Sequence, residues 1–480
     1  MRYEAIIGME VHAQVITQSK MFCACSADYA SAPPNTHVCP VCLALPGVLP
    51  TINRAAVEAT VLTGLALNCR IPEKTKFDRK NYPYPDLPKG YQISQYDMPL
   101  CVDGALEIEV DGRTRRIGIR RVHLEEDTAK LFHDGGSSLI DFNRSGVPLI
   151  EIVTEADIRS AEEAWAYLLE LRAILRYLGV NSGNMEEGAM RCEANVSVRP
   201  VGAEALGTKV EVKNLNSFRS VRQAIAYEVE RQSRILDEGG RVQQVTMGWD
   251  EDRQRTVFQR SKEEAEDYRY FPEPDLPPLQ LDEAWIAAIR QRLPELPGAK
   301  RERFVAQYGL RAEDAAVLAE DRAVAEYYEA AVAASADVGP QVVANWITGE
   351  VFRLLREENT TIDALRVSPE GLAALLNMVT KGTINATVAK EVLAEMHSTG
   401  DAAEAIVTRR GLTQISDEDE LLAIVRQAVE ANPKPVQQYL DGKPQVLGFL
   451  IGQVMRATRG QANPQVAARL LRDELDRIKH

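Results

Sequence analysis

The stretch MRCEANVSVR, residues 190–199, alternates apolar and polar side chains along its whole length. A period of two is typical of a β-strand, because successive side chains of a strand point to opposite faces of the sheet. Cys192, Ala194 and Val196 would share one face, and Arg191 and Glu193 the other. The stretch therefore predicts a sheet with one apolar face and one polar, charged face.

Three further segments show the same alternation, namely residues 6–14, 119–127 and 209–213. Two helices between the strands are predicted by capping boxes, in which a serine precedes Glu or Gln by three positions. The two boxes are Ser160 with Glu163 and Ser220 with Gln223. Irregular alternation of strands and helices predicts an α+β domain with a mainly antiparallel sheet.

A proline-rich stretch, residues 271–278, ends this mixed region, since proline removes backbone donors and disfavours helix in the preceding residue. Helical patterns follow over the ranges 282–292, 299–308, 312–335, 340–357 and 369–398. The expected division is an α+β domain over 1–275, an all-α helical domain over 276–400 and an all-α tail domain over 401–480.

The composition is that of a globular protein, with 480 residues, 45% hydrophobic residues and a net charge of −14. No apolar run approaches the roughly 18 residues of a membrane span, and no signal peptide is visible, so we expect a cytoplasmic protein without membrane association. Residues 431–480 hold eight Lys and Arg against four Asp and Glu. That basic tail is either a handle for a polyanion or a solvated helical surface.

Four of the seven cysteines lie within twenty residues, at Cys23, Cys25, Cys39 and Cys42. Thiolates at this spacing can converge on one tetrahedral Zn²⁺, and four of them leave no open position for catalysis. We therefore predict a structural zinc knuckle over 23–42. The alternatives are that some of these thiols are merely buried apolar groups, or that His37 replaces one of them.

A second candidate site consists of three carboxylates and one imidazole: Glu10, His12, Glu125 and Glu151. Glu151 interrupts the apolar run VPLIEIV, residues 147–153, where an unpaired charge would be costly. Oxygen ligands with an imidazole suit Mg²⁺ or Mn²⁺. The alternative is a buried salt bridge from Glu151 to Arg144 or Arg121.

A third candidate segment, residues 76–91, combines three prolines, a glycine and three tyrosines with several cations. This composition predicts a stiff irregular loop, which either builds part of a site or lies on the surface. The sequence holds no P-loop, no G-x-G-x-x-G fingerprint and no G-x-S-x-G elbow, so any ATP would be bound on a less familiar scaffold.

Five long segments together resemble one family, the B subunits of tRNA-dependent aspartyl/glutamyl-tRNA amidotransferases. The segments are IGMEVH (7–12), CPVCLALPG (39–47), YPDLPKGYQISQ (84–95), DFNRSGVPLIEIV (141–153) and EVKNLNS (211–217). The resemblance extends over essentially the whole chain. It implies a cradle-like catalytic domain, a helical domain and a tail domain that contacts tRNA.

The resemblance also implies a ligase reaction on tRNA(Gln) or tRNA(Asn) that carries glutamate or aspartate. ATP would phosphorylate the side-chain carboxylate, and ammonia would then displace phosphate to leave the amide. The implied cofactors are ATP, Mg²⁺ and a structural Zn²⁺. No Lys-Ser-Ser amidase signature is visible, so glutamine hydrolysis would belong to a partner, the amidase or A subunit. A small C subunit and the cognate non-discriminating synthetase would be further partners.

Site residues follow from the matching motifs. The resemblance implies Glu10, His12, Glu125 and Glu151 as ligands of Mg²⁺, and Lys213, Arg191 and Arg144 as cations for phosphate. Asn143, Glu193, Glu211 and Asn214 would line the nucleotide or metal site. Lys89, Tyr82 and Tyr91, with Glu125, would line an ammonia route.

Two other functions remain open from the residues alone. One is a non-catalytic tRNA-binding protein whose zinc knuckle is an RNA module. The other is a zinc hydrolase.

Overall fold

The computed structural model describes residues 3–261, 268–412, 418–458 and 461–479. The chain divides into two compact units, Met1–Gly298 and Ala299–His480. Separate apolar clusters lie within residues 5–289, 304–412 and 421–475. The domain boundaries at 275 and 400 stay predictions.

The first unit contains the strands of the described chain. They are β1 (Tyr3–Gln14), β2 (Lys74–Thr75), β3 (Asp78–Asn81), β4 (Tyr91–Ser94), β5 (Cys101–Val110), β6 (Arg113–Glu126), β7 (Lys130–Asp134), β8 (Ser137–Asp141), β9 (Pro148–Thr154), β10 (Met190–Pro200), β11 (Val210–Leu215), β12 (Val245–Asp250), β13 (Arg255–Ser261), β14 (Phe271–Pro272) and β15 (Leu279–Gln280).

Eight of these strands form one sheet in the order β13-β12-β11-β10-β1-β9-β6-β5. All neighbours are antiparallel except β11 and β12, which run parallel. This confirms the α+β class with a mainly antiparallel sheet.

One face of the large sheet is apolar, as its alternation predicts. Ile7, Met9 and Val11 of β1 are fully buried, and so are Ala194 and Val196 of β10. They share one core with apolar residues of α1 (Arg54–Ala66), α2 (Ala161–Tyr177), α3 (Phe218–Asp237) and α4 (Glu283–Arg290). The covered face fixes the register, because a slip of one residue would turn the polar side chains into this core.

One of the two predicted helix starts is confirmed. The Ser160 hydroxyl accepts a hydrogen bond from the backbone N–H of Glu163 at 3.0 Å and caps α2. The second prediction was three residues too late, because Ser217 caps α3 by accepting from the Ser220 N–H at 3.0 Å. Ser220 lies in the first turn, where its hydroxyl donates to Glu251.

The loop prediction for residues 76–91 was wrong in part. Asp78–Asn81 forms β3, which pairs in antiparallel fashion with β4. Residues 82–90, between these strands, contain the three prolines and have no helix or strand. The prolines therefore form the connection of a β-hairpin rather than a loop over the whole segment.

The second unit is helical throughout its described residues, as predicted. Its helices are α5 (Pro297–Tyr308, which begins at the end of the first unit), α6 (Ala312–Leu318), α7 (Arg322–Ala334), α8 (Pro340–Trp346), α9 (Phe352–Glu357), α10 (Pro369–Thr380), α11 (Ala386–Thr399), α12 (Ala403–Arg410), α13 (Glu418–Ala431), α14 (Pro433–Leu440), α15 (Leu447–Ala457) and α16 (Pro464–Lys479). Short 3₁₀ turns lie at Ile362–Ala364 and Pro444–Val446. No described helix is long and apolar enough to cross a bilayer.

Three predicted helices of this unit are interrupted. The range 312–335 divides at Asp321, whose carboxylate accepts from the N–H groups of Ala323 and Val324 and so starts α7. The range 340–357 contains a π-helical turn at Ile347–Val351. The range 369–398 divides into α10 and α11, and Asn385 caps the second of these. The apolar periodicity of the sequence continues across each of these breaks. It therefore predicted one helix where the structure has an interruption.

The cap of α2 gives a first prediction. Ser160→Ala should lower the free energy of local opening of α2 by about 1 kcal/mol, because the Glu163 N–H loses its acceptor. Hydrogen exchange of α2 amides measures this energy. Ser137→Ala, which removes an exposed hydroxyl from β8, is the control. Equal protection of α2 in both variants would show that the cap contributes nothing.

Candidate functional site

Four charged or titratable residues form a row across the polar face of the large sheet. His12 on β1 lies directly opposite Arg191 on β10 on one side and Glu151 on β9 on the other. Glu151 lies in turn opposite His123 on β6. The antiparallel register thus places Glu151 between two imidazoles.

Both histidines of this row also lie close to Glu125, which is two residues after His123 on β6. His12 Nε2 lies 3.5 Å from Glu151 Oε2 and 3.7 Å from Glu125 Oε1. His123 Nε2 lies 3.2 Å from Glu151 Oε2 and 3.8 Å from Glu125 Oε2. Ser94 Oγ donates to Glu125 Oε2 at 3.0 Å. Both carboxylates are buried, and both are held by neighbouring side chains.

The alternative partners of Glu151 are not used. Neither Arg121 nor Arg144 forms an ion pair with it among the described residues. Arg144 instead donates to the carbonyl oxygens of Thr128 and Ala129, each at 2.8 Å. The counter-charges of Glu151 are therefore the two histidines.

These contacts set the protonation of the site. Burial opposes charge on His12, but the Glu151 and Glu125 carboxylates outweigh it and raise the pKa of His12 to about 9. Burial also opposes charge on Glu151 and Glu125, yet the pKa of both is lowered, chiefly by His123. The pKa of Glu10 is raised, first by burial and then by the charges of Glu151 and Glu193.

His12, Glu125 and Glu151 offer ligand atoms that all lie within 4.8 Å of one another. Two ionised carboxylate oxygens and an imidazole nitrogen are suited to Mg²⁺ or Mn²⁺, and the cation would replace the proton on His12. Glu10 stands outside this group. Its Oε1 accepts from Asn195 Nδ2 at 2.8 Å, and it borders a cavity of about 470 Å³ that Lys209 also lines.

The structure brings three of the predicted nucleotide-site residues together on β10 and β11. Lys213 Nζ lies 3.0 Å from Glu193 Oε2 and 3.6 Å from Glu211 Oε1. Asn214, next in the chain, is exposed and has a left-handed backbone with φ of 60°. Glu193 on β10 is paired with Glu10 on the neighbouring strand β1, two residues from the pair of His12 and Arg191. Lys213, Glu193 and Glu211 therefore lie next to the row that contains His12.

The other predicted phosphate and nucleotide residues make internal contacts. Arg191 forms a two-pronged pair with Asp127, both distances being 3.0 Å. Asn143 is fully buried, accepts from the His37 N–H at 2.8 Å and donates to the Pro33 carbonyl at 2.7 Å. Asn143 and Arg144 thus hold neighbouring loops in place.

Lys89, predicted to line an ammonia route with Glu125, forms an ion pair with the neighbouring Glu126. Its Nζ lies 2.6 Å from Glu126 Oε1, and 5.7 Å from the centre of the Tyr91 ring. The cation facing Glu125 is Lys80, where burial opposes the charge but Glu125 outweighs it and raises the pKa. Lys80 also lies over the rings of Tyr268 and Tyr82, at 4.8 and 5.9 Å.

The four predicted knuckle cysteines converge, with all four Sγ atoms within 4.8 Å of one another. None of them forms a disulfide. The Cys23 thiol hydrogen-bonds to Cys42 and lowers the pKa of that thiol to about 4. His37 is not part of the group. Four sulfurs at this spacing suit a closed tetrahedral Zn²⁺ site.

Two family models match the chain. The first, described as the GatB/GatE catalytic domain, covers residues 5–287, and the second, described as the GatB domain, covers residues 326–475. The chain belongs to the GatB/GatE family. The match to the GatB/GatE catalytic domain contains all the candidate site residues described above.

Full-length relatives within this GatB/GatE group are named as the B subunit of aspartyl/glutamyl-tRNA(Asn/Gln) amidotransferase. The protein of Thermomicrobium roseum is 59% identical over 479 residues, which are 99% of each chain. That of Dehalococcoides mccartyi is 55% identical over 488 aligned positions and 99% of each chain. That of Roseiflexus castenholzii is 56% identical over 99% of this chain and 100% of its own.

The sequence analysis did not identify two residues of the candidate site, His123 and Lys80. His123 shares a face with Glu125 in the alternating stretch 119–127, so its side of the sheet was visible, but its position opposite Glu151 was not. Lys80 was one cation among several in the stretch 76–91. Its role depends on the hairpin of β3 and β4, which composition did not reveal.

The raised pKa of His12 predicts that cation binding depends on pH. Below about 9 a proton occupies the imidazole, so Mn²⁺ must displace it. Affinity should rise with pH, by up to about tenfold per unit, and level off above the His12 pKa. Calorimetric titration with Mn²⁺ at several pH values measures this slope. His12→Gln is the control, because it has no proton to lose, and a pH-independent affinity in the unaltered chain would contradict the prediction.

The position of His123 gives a further prediction. His123→Leu should weaken Mn²⁺ binding by about 10–100-fold, because Glu151 loses a hydrogen-bond donor that orients it. His123→Gln keeps an N–H donor and should retain most of the affinity. His133→Leu, on the exposed hairpin of β7 and β8, is the control. Equal affinities for the Leu and Gln variants at position 123 would show that the hydrogen bond is unimportant.

Proposed function

We propose that this chain is the B subunit of a glutamine-dependent ligase that amidates glutamate or aspartate attached to tRNA(Gln) or tRNA(Asn), using ATP. The observation that carries the proposal is the group of His12, Glu125 and Glu151 on the polar face of the sheet, in a chain that matches B subunits from end to end. Buried, ionised carboxylates beside histidines are typical of catalytic and metal sites, whereas tRNA binding alone requires mainly exposed cations.

The chemistry requires an activated carboxylate. A carboxylate is a poor acyl donor, so its oxygen first takes the γ-phosphoryl group of ATP, which releases ADP. Ammonia then attacks the carbonyl carbon of the acyl phosphate, phosphate leaves, and the nitrogen loses a proton to give the amide. Both steps build negative charge on phosphoryl oxygens, which prepositioned cations stabilise.

The chain's own residues divide these tasks. His12, Glu125 and Glu151 would hold Mg²⁺, which supplies charge neutralisation for the phosphoryl group. Lys213, held between Glu193 and Glu211, is the cation we assign to phosphate. Arg191 forms an ion pair with Asp127 and lies opposite His12 in the sheet. We therefore assign it to positioning the residues around His12 rather than to binding phosphate.

We assign the remaining nucleotide contacts to the cavity beside Glu10. That cavity is lined by backbone and side chains of β1, β9 and β10, including Gly8, Thr154 and Asn195. Asn214 stays a candidate because it is exposed beside Lys213. Asn143 and Arg144 support the site from their loops.

Ammonia would reach the site along polar groups near the hairpin of β3 and β4. Lys89 with Glu126, together with Tyr91, borders a cavity of about 180 Å³. Lys80 interacts with the charge of Glu125, and its Nζ lies 5.9 Å from the centre of the Tyr82 ring. The route we propose thus contains Lys89, Tyr82, Tyr91 and Glu125, with Lys80 and Glu126 added.

The assembly we propose is a cytoplasmic heterotrimer. The amidase or A subunit would hydrolyse glutamine, the small C subunit would bridge the other two chains, and the cognate non-discriminating synthetase would supply the misacylated tRNA. The tail over 401–480 would contact that tRNA, and the helical domain over 276–400 would help to hold it. Zn²⁺ on Cys23, Cys25, Cys39 and Cys42 would be structural.

Activity tests the metal assignment. In the complex reconstituted with the amidase and the small bridging chain, Glu125→Ala and Glu151→Ala should each lower amidation of Glu-tRNA(Gln) and Asp-tRNA(Asn) by at least about 100-fold, or roughly 2.7 kcal/mol of transition-state stabilisation. Glu230→Ala, at an exposed glutamate on α3, is the control.

Normal amidation by both variants would refute the metal site. Salt-dependent tRNA binding by the complete complex without tRNA-dependent ATP cleavage would favour the non-catalytic alternative. Comparing the two misacylated tRNAs also identifies which of them is the substrate.

A further inference from the structure

Lys20 is a lysine with no exposed surface, located between β1 and the first pair of knuckle cysteines. Its backbone N–H donates to the carbonyl of Cys25 at 2.9 Å, which places it inside the knuckle. An ammonium group removed from water must be compensated by a negative charge, since burial otherwise strongly disfavours the charged form. The contacts of Lys20 Nζ identify the group that can supply this negative charge.

The partners of Lys20 are few. Its Nζ lies 3.7 Å from Cys42 Sγ and donates to the Phe142 carbonyl at 3.2 Å. Within the described part of the chain, no carboxylate lies within ion-pair distance of Lys20. The other buried lysine of the described residues, Lys300, has such a partner, with Nζ 2.9 Å from Glu329. The ionisable group closest to Lys20 Nζ is therefore the sulfur of Cys42, one of the four knuckle cysteines.

The charge of a filled knuckle fits this arrangement. Four thiolates around Zn²⁺ leave two net negative charges on the sulfurs. Cys42 is the buried member of the four, and it already accepts the Cys39 N–H at 3.1 Å. Lys20 adds a buried ammonium group 3.7 Å from the Cys42 sulfur.

Close packing holds the ammonium group there. Gly146 has φ of +83°, and a Cβ built on it would lie 3.6 Å from Lys20 Cδ, 3.7 Å from Cys42 Cβ and 3.9 Å from Glu126 Oε2, a carboxylate that pairs with Lys89. The Gly146 carbonyl accepts from the Met21 N–H at 2.7 Å. The loop that leads into β9 therefore encloses the lysine stem against the knuckle.

We propose that Lys20 is the charge partner of the zinc–thiolate centre, a positioning residue that keeps Zn²⁺ bound and shields Cys42 from electrophiles. The inference rests on the proposed structural zinc site. A cation beside a metal-bound thiolate draws electron density from the sulfur, so the sulfur attacks electrophiles more slowly. It also offsets the repulsion among four thiolates, so the metal is held more tightly.

The test uses the full-length chain purified with its zinc. Lys20→Met keeps the length of the side chain without its charge, and Lys20→Arg keeps the charge. N-Ethylmaleimide is added as the electrophile, and released zinc is followed with a chromogenic chelator. Equilibrium competition with the same chelator gives zinc affinity. Lys300→Met is the matched control, a buried lysine whose partner is a glutamate.

Lys20→Met should release zinc about 10–100-fold faster than the unaltered chain and bind it more weakly by a similar factor. Lys20→Arg and Lys300→Met should stay within a few-fold of the unaltered chain. If Lys20→Met does not fold, Lys20→Gln carries the same expectation, because it keeps a donor for Phe142 but loses the charge.

Two outcomes are distinguishable. Zinc release and affinity that are the same in Lys20→Met, or Lys20→Gln, as in the unaltered chain would overturn the role of Lys20 and leave the zinc site standing. An unaltered chain that binds no zinc would overturn the zinc site itself, and the role of Lys20 with it.

Discussion

The pairing of Glu151 with two histidines is the constraint on which the functional face depends. Glu151 lies in β9, a strand that is buried at every position, so its charge needs compensation within the sheet. His12 and His123 provide it from the two neighbouring strands, at directly opposed positions. A row of this kind requires three adjacent antiparallel strands in one fixed register. The sheet order β1-β9-β6 is therefore a condition of the site as well as of the fold.

Much of this arrangement could be predicted from single segments. Alternation along β1, β6 and β10 assigned each side chain to a face, and its position in an apolar run marked Glu151 as a candidate site residue. Register and strand order could not be predicted, because they depend on contacts between strands that are separated in the sequence, such as β1 with β9 and β6 with β9. For the same reason the ion pair between Lys89 and Glu126 was not predicted, although Glu126 lies next to Glu125 in the sequence. The cap at Asp321 was hidden by apolar periodicity that continues across it, and the cap at Ser217 was missed because Ser220 with Gln223 also fits a capping box.

The two candidate metal centres differ in ligand chemistry and in environment. The knuckle sulfurs form a closed set of four ligands, whereas His12, Glu125 and Glu151 offer three, fewer than the roughly six that Mg²⁺ takes. Asn143 links the knuckle to the strand that carries Glu151. Its side chain forms hydrogen bonds with the backbone of His37 and Pro33, and the chain continues from Asn143 through a short loop into β9. A rigid knuckle therefore helps to fix the strand that carries Glu151.

The directly opposed row has an evolutionary consequence. Side chains in β1, β9 and β6 can change while the strands keep their lengths, but inserting or deleting a single residue would move every later side chain to the opposite face. Such a change would send Glu151 or His12 into the apolar core and apolar residues into the site at the same time. Related chains should therefore vary freely in the hairpin tips that join strands, and hardly at all in the spacing from Glu10 to His12 or from His123 to Glu125.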